Sequence, residues 1–207
     1  MKRKIFIITL SILFLVGFIV FTFLAKAKIF NQLDFDTTVR LQNHIPKKFD
    51  PFLSFLSLIG SFEIISVVII LIIFLKKKLS YLLIFVPYGL SHVVEILGKT
   101  FFNHPGPPFL FFRYDLGFLF PSSYIQPGSS YPSGHAMRNI FISLIFCYLF
   151  SKSKTKKINK FFCYLFFIVF DILMLISRVS LGEHWTTDVF GGALLGASSG
   201  IFSFLFL

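Results

Sequence analysis

Charge is what this chain has least of. Lys, Arg, Asp and Glu make up 14% of its 207 residues against 56% that are hydrophobic, where a soluble domain is roughly a quarter charged. With a mean hydropathy of +0.82, the apolar excess is more than a single water-soluble core can hold, and it equally excludes disorder, collagen and coiled coil. Acidic residues are scarcer still, 9 against 20 Lys and Arg. The two cysteines, Cys147 and Cys163, both lie inside apolar runs, so no disulfide framework is expected. Walker loops, Rossmann glycines, nucleic-acid motifs and internal repeats are absent, and no His/carboxylate cluster has zinc or di-iron spacing. Neither a nucleic-acid partner nor a metal or other cofactor is expected.

What is present is apolar length. Crossing a bilayer takes about 20 residues, and six runs approach that: about 5–24, 56–75, 81–101, 134–151, 161–181 and 186–207. An all-α, polytopic membrane protein with a six-transmembrane-helix bundle is predicted, one unit over residues 1–207. The first run, preceded by Lys2, Arg3 and Lys4 and followed by Ala25-Lys26-Ala27, is too long for a signal-peptide core and is read as an uncleaved span. Cations punctuate the runs: Lys2 to Lys4, Lys76 to Lys78, and Lys152, Lys154, Lys156, Lys157 and Lys160, with no acid among them. The positive-inside rule then places all three clusters, and both termini, in the cytoplasm. Residues 25–55 mix both signs of charge and read as a short amphipathic surface segment. The Pro/Gly/Ser-rich stretch 103–134, with Pro105, Gly106, Pro107, Pro108, Pro121, Pro127, Gly128, Pro132 and Gly134, reads as an ordered outer loop.

Ionisable groups at membrane depth are costly, so their positions carry information. On this topology Lys99 ends the third span, His135 and Arg138 begin the fourth, Arg178 ends the fifth, and His184 and Asp188 open the sixth, all at one depth on the extracytoplasmic side. Tyr131-Pro132-Ser133-Gly134-His135 reads as a helix start. There Ser133 caps, Gly134 lets the backbone approach a ligand, and the free first-turn amides suit an anion; an ordinary cap followed by an interfacial His is the plainer alternative. His184 and Asp188 are i and i+4, sharing a face if helical, so that the carboxylate fixes one imidazole nitrogen and leaves the other a better nucleophile. Arg178 offers a permanent fork for phosphate oxygens, or else snorkels beside a His–Asp pair.

Pro132-Ser133-Gly134-His135 and Ser177-Arg178-x5-His184-x3-Asp188, in this order, resemble the second and third motifs of the type 2 phosphatidic acid phosphatase superfamily, integral-membrane lipid phosphate phosphatases. The resemblance covers roughly 95–200, the expected catalytic core. The first family motif is Lys, six residues, then Arg-Pro; here Lys99 is followed at that distance by Gly106-Pro107, so the Arg is missing. Three substitutes offer themselves: His104-Pro105 as a shortened motif, Arg113 reaching back from the loop, or Arg138, one turn beyond His135. Arg138 is preferred, its rival reading being a pair with Glu63 or Asp171. Lys99 has the rival of an i, i+4 pair with Glu95. Asp171, two turns before Arg178, is read as that residue's counter-ion, and His92 and Glu95 as supporting or packing residues. His44 is read as a surface His, Trp185 as an interface anchor, and Gly191, Gly192, Gly196 and Gly200 as close helix packing.

The resemblance implies metal-independent hydrolysis of a phosphate monoester or diphosphate. His184 attacks phosphorus and becomes a phosphohistidine, Asp188 orients it, and His135 protonates the leaving group; Lys99, Ser133, Gly134, Arg178 and Arg138 hold the phosphate oxygens. A site at headgroup depth calls for a lipid phosphate substrate. Undecaprenyl diphosphate, phosphatidylglycerophosphate and phosphatidic acid share the same head chemistry, and residue types select neither among them nor an oligomeric state. A lipid-phosphate phosphotransferase and a non-catalytic membrane scaffold of the same fold are the alternatives. The small, short-looped chain points to a prokaryotic cell (inner) membrane.

Overall fold

Three stretches of the chain are helical, long and apolar, with most of their residues left unburied by protein, which in a chain of this size means that lipid covers them. In a computed structural model that describes residues 1–118, 120 and 129–207, the described residues form eight α-helices and no strand. They are α1 (Lys2–Lys26), α2 (Asn31–His44), α3 (Asp50–Ile59), α4 (Phe62–Lys76), α5 (Phe85–Phe101), α6 (Gly134–Lys152), α7 (Lys157–Ser180) and α8 (Thr186–Ser203). Pro121, Pro127 and Gly128 of the predicted outer loop lie outside the described residues. Helix α1, residues 79–101 and α7 are each long and apolar enough to cross a bilayer. The α3–α4 pair makes a fourth if counted as one bent span. Phe6, Leu13, Phe74, Leu75, Phe101 and Phe166 stand exposed on these helices, the surface of an integral membrane protein.

The run predicted at 56–75 is broken. Helix α3 ends at Ile59, α4 starts at Phe62, and the two are bent by 48°. Ser61 takes extended backbone and its Oγ caps the amide of Ile64 at 3.4 Å, while Gly60 keeps its carbonyl free of the helix ladder. That carbonyl accepts Arg138 Nε at 2.9 Å, so the break is stabilised by a buried guanidinium.

Helices α6 and α8 form the centre of the bundle. They are 19 and 18 residues long, and their contact is made by glycine. A Cβ on Gly192 or Gly196 would run into the carbonyl of Ser133 or Met137, and one on Gly200 would press on Leu144 and Phe141, so the two backbones approach as side chains would hinder. Helix α1 lies along the other side of α8, joined at mid-height by Ser11 Oγ donating to the Ser198 carbonyl at 2.9 Å.

The cationic clusters gather at one end. Arg3 and Lys152 both sit over the Tyr148 ring, 5.4 and 5.6 Å from its centroid, and Phe204 stacks on the same ring at 4.3 Å. Ile72 and Tyr81, which bracket Lys76 to Lys78, pack in one cluster with Ile145, Leu149 and Leu207. Because α6 finishes here, its first turn, and everything that meets it, belongs to the opposite end.

Candidate active site

At that opposite end α6 begins in the way its sequence dictates. Ser133 adopts extended backbone, and its Oγ caps the amide of Ala136 at 3.5 Å. The Ser133 amide donates to the Asp188 carbonyl at 2.9 Å, which ties the start of α6 to the start of α8. Gly134 is required for space: a Cβ there would overlap the Glu95 carboxylate and Arg138 Nη1. The carboxylate thus lies against the helix start where an anion is expected.

The turn between α7 and α8 is set by Gly182, whose φ of +69° is left-handed and whose missing Cβ admits the Phe111 carbonyl. The amides of Glu183 and His184 then both donate to the Arg178 carbonyl at 3.2 Å. His184 therefore precedes α8 instead of sharing a helical face with Asp188. The two meet across the helix start, His184 Nδ1 lying 3.5 Å from Asp188 Oδ2. That oxygen also accepts the Trp185 amide at 2.8 Å. Asp188 is fully buried, and its other oxygen lies 3.0 Å from His104 Nδ1. Burial pushes the His184 imidazole down to about 4, with Asp188 opposing and Arg178 reinforcing; the ring is neutral at pH 7 with its lone pair available.

The cations each hold a carboxylate. Lys99 Nζ bonds Glu95 Oε1 at 2.7 Å, and Arg138 Nη1 reaches Glu95 Oε2 at 3.2 Å. Glu95 so bridges both, and Arg138 pairs with neither Glu63 nor Asp171. Arg178, 2% exposed, bonds Ser57 of α3 and Glu183 through Nη1, and its Nε finds no partner among the described residues. Glu183, in the turn, has its pKa raised by burial against the opposing charge of Arg178. His135 is half-buried and lies in the field of Arg178, Arg138, His184 and Lys99. All eight sequence-predicted residues thus converge on one end of the bundle.

Two expectations are corrected, and one alternative falls away. Asp171 is not the counter-ion of Arg178: seven residues put it about 10 Å down the helix, where Asn139 Nδ2 and Ser143 Oγ of α6 each donate to it at 2.7 Å. Arg113, the alternative not preferred for the missing Arg, is taken by Asp50, which accepts its Nε and Nη2 at 2.9 and 2.7 Å. The segment after α1 is more than a surface helix: Asp34 of α2 is buried, accepting the Thr187 amide at 2.8 Å and its hydroxyl at 2.7 Å. Glu183, Ser57 and Asp34 were not anticipated. A single acid in the short turn ahead of His184 is a signal for the first; no local pattern marks the other two. Among the described residues no group of three or more His, Cys, Asp or Glu is arranged to hold a metal ion.

The chain is similar to known proteins in sequence and in fold. Residues 79–207 match the family model described as the PAP2 superfamily. Phosphatidylglycerophosphatase B of Bacillus subtilis (strain 168) is 30% identical over 128 residues, 59% of this chain, and the match spans only 56% of that relative's length. The crystal structure of a transmembrane PAP2-type phosphatidylglycerolphosphate phosphatase from Bacillus subtilis superposes with a TM-score of 0.75 over 95% of this chain and 94% of its own, at 21% identity. That of Aquifex aeolicus LpxE gives 0.63 over 84% and 95%, at 25% identity. A match that runs from the residues before α5 through α8, and so includes both motifs and every cation of the site, shows that this chain belongs to the PAP2 superfamily.

Proposed function

We propose that this chain is an integral-membrane lipid phosphatase, hydrolysing a phosphate monoester or diphosphate through a phosphohistidine on His184. The observation that carries the reading is the meeting, at one end of an apolar bundle, of a neutral buried His184 backed by Asp188, a second histidine, His135, and the cations Lys99, Arg138 and Arg178. His184 attacks phosphorus as the bond to the leaving oxygen breaks, and His135 donates a proton to that oxygen. Water then attacks phosphorus, His135 takes its proton, and the phosphorus–nitrogen bond breaks to release phosphate and neutral His184. Lys99, Arg138, Arg178 and the amides at Ser133 and Gly134 stabilise the oxygens throughout, and Glu95 and Glu183 yield those cations as phosphate enters.

Collection of the three cationic clusters at the other end supports six crossings with both termini cytoplasmic and a catalytic end on the extracytoplasmic face of a prokaryotic cell membrane. Residues 1–207 act as one membrane-embedded unit, since α1 and α2 pack on α8. The name of the Bacillus subtilis relative puts phosphatidylglycerophosphate first among the substrates, ahead of phosphatidic acid and undecaprenyl diphosphate. The test is phosphate release by detergent-purified protein over these three lipids with EDTA present. Release that persists in EDTA and is lost in His184→Ala supports the reading. No release from any lipid by folded protein overturns it.

A further inference from the structure

Asp188 has more company than a carboxylate serving one histidine needs. Its Oδ2 faces His184 at 3.5 Å, but Oδ1 lies closer to a different imidazole, His104 Nδ1 at 3.0 Å. His104 is 8% exposed and firmly held. Its carbonyl accepts the Ser130 amide at 2.9 Å and the Ser130 hydroxyl at 3.1 Å, and the next carbonyl, of Pro105, accepts Trp185 Nε1 at 2.9 Å. The rings of Phe102 and Tyr131 pack around it at 5.9 and 6.1 Å. Asp34 grips the residue before Asp188, Thr187. Burial disfavours a charged His104, yet Asp188 and then Asp34 outweigh it, and Lys28 opposes them; the ring is held toward its protonated form.

We propose that His104 is a positioning residue for the reaction, fixing the Asp188 carboxylate from the side opposite His184 so that His104, Asp188 and His184 form one chain. A carboxylate anchored only by a backbone amide can swing about its last torsion, and a buried imidazole on its second oxygen removes that freedom. The inference rests on the reading of His184 as nucleophile.

His104→Phe keeps the ring volume against Phe102 and Tyr131 but removes both nitrogens; His104→Asn restores a donor near the place of Nδ1. We expect His104→Phe to lower kcat for phosphate release about tenfold to a hundredfold, the usual scale for losing an orienting partner, with KM within about twofold, and His104→Asn to recover most of the loss. In an Asp188→Asn background His104→Phe should add less than about twofold, since residues acting through one another are not additive. A readout independent of turnover is the rate at which diethyl pyrocarbonate acylates His184, followed by peptide mass spectrometry. It should fall in His104→Phe and in Asp188→Asn alike. Wild-type kcat or a wild-type labelling rate in His104→Phe overturns the proposal, as does a rise in KM with losses that multiply in the double variant, the mark of direct substrate contact. If the wild type turns over none of the lipids, the phosphatase reading fails, and the labelling rates still decide the role of His104.

Discussion

Arg113, half-buried, and Arg178, buried, both reach α3 and both carry an acidic partner, yet they serve different ends. Arg113 holds both oxygens of Asp50 through Nε and Nη2, and gives Nη1 to the Gln42 carbonyl at 3.2 Å and Nη2 to that of Ile45 at 3.1 Å. Every nitrogen is spent, and the result is a staple from the stretch after α5 to α2 and α3. Arg178 spends Nη1 on Ser57 and Glu183 and keeps a buried Nε without a partner among the described residues. A buried donor left unmade is costly, and it is bearable where an anion arrives to use it. Satisfaction of its donors, more than the charge itself, separates an arginine that holds a fold from one that holds a ligand.

The comparison breaks or sharpens first on Arg178→Ala. Losing one preorganised donor at a site of developing charge costs about 10²- to 10³-fold, so kcat/KM for phosphate release should fall by that much, while the loss of stability stays below that of Arg113→Ala, because Glu183, whose pKa burial already raises, can take up a proton when its partner goes. Arg178→Lys should recover only part, lacking the planar fork. The converse variant, Arg113→Ala, leaves Asp50 buried and unpaired, at a cost of about 3 kcal/mol. Its unfolding in detergent should shift accordingly, while kcat of the folded fraction stays within about twofold, since the Arg113 guanidinium touches no residue of the site and its backbone amide, which holds the Leu181 carbonyl at 2.8 Å, is kept in the variant. Stability loss at Arg178 with normal turnover, or turnover loss at Arg113 with normal stability, would collapse the distinction. A smaller effect is read in pH. With the His184 ring pushed down to about 4, its unprotonated form persists well below the ordinary imidazole range. The acid limb of kcat/KM, corrected for ionisation of the substrate phosphate, should therefore lie near that value. Arg178→Gln removes a positive charge that keeps the proton off, so the limb of its residual activity should move upward in pH.

The sequence already distinguishes these two arginines in part. Arg178 falls in a motif with His184 and Asp188, and Arg113 falls in a loop with no partner in register. The six apolar runs each overlap a helix, because a chain at bilayer depth stays apolar over long stretches whether a helix faces lipid or the centre of the bundle. The run 56–75 was read as one span although Gly60-Ser61 offers a helix start, and the contact that stabilises the break, Arg138 Nε on the Gly60 carbonyl, comes from 78 residues away. The same holds for counter-ions. Glu95 reaches Lys99 at i+4, which the spacing offers, but its second bond to Arg138 and its seat against Gly134 depend on how α5 meets α6. Asp34 reaches Thr187 across 153 residues. The residues of the site are local patterns, and the groups that neutralise and brace them are long-range contacts.

Glu183 gives the finest test, because it is the partner that Arg178 must release and Asp50 is the partner that Arg113 must not. If the guanidinium is on loan, Glu183→Gln, which keeps an acceptor near Arg178 but removes the negative charge, should lower KM by about twofold to fivefold, the scale of exchanging one charge-assisted bond. The kcat should be little changed, since the carboxylate has left before phosphorus is attacked. The pH dependence fixes the sign. Burial raises the Glu183 pKa despite Arg178, so as pH falls the carboxyl takes a proton earlier than an ordinary glutamate and the competition lifts. Wild-type KM should then converge on that of Glu183→Gln toward acid pH and diverge from it toward neutral pH. A ratio that does not move with pH would mean that Glu183 braces Arg178 as Asp50 braces Arg113, and that the two arginines differ in their neighbours alone.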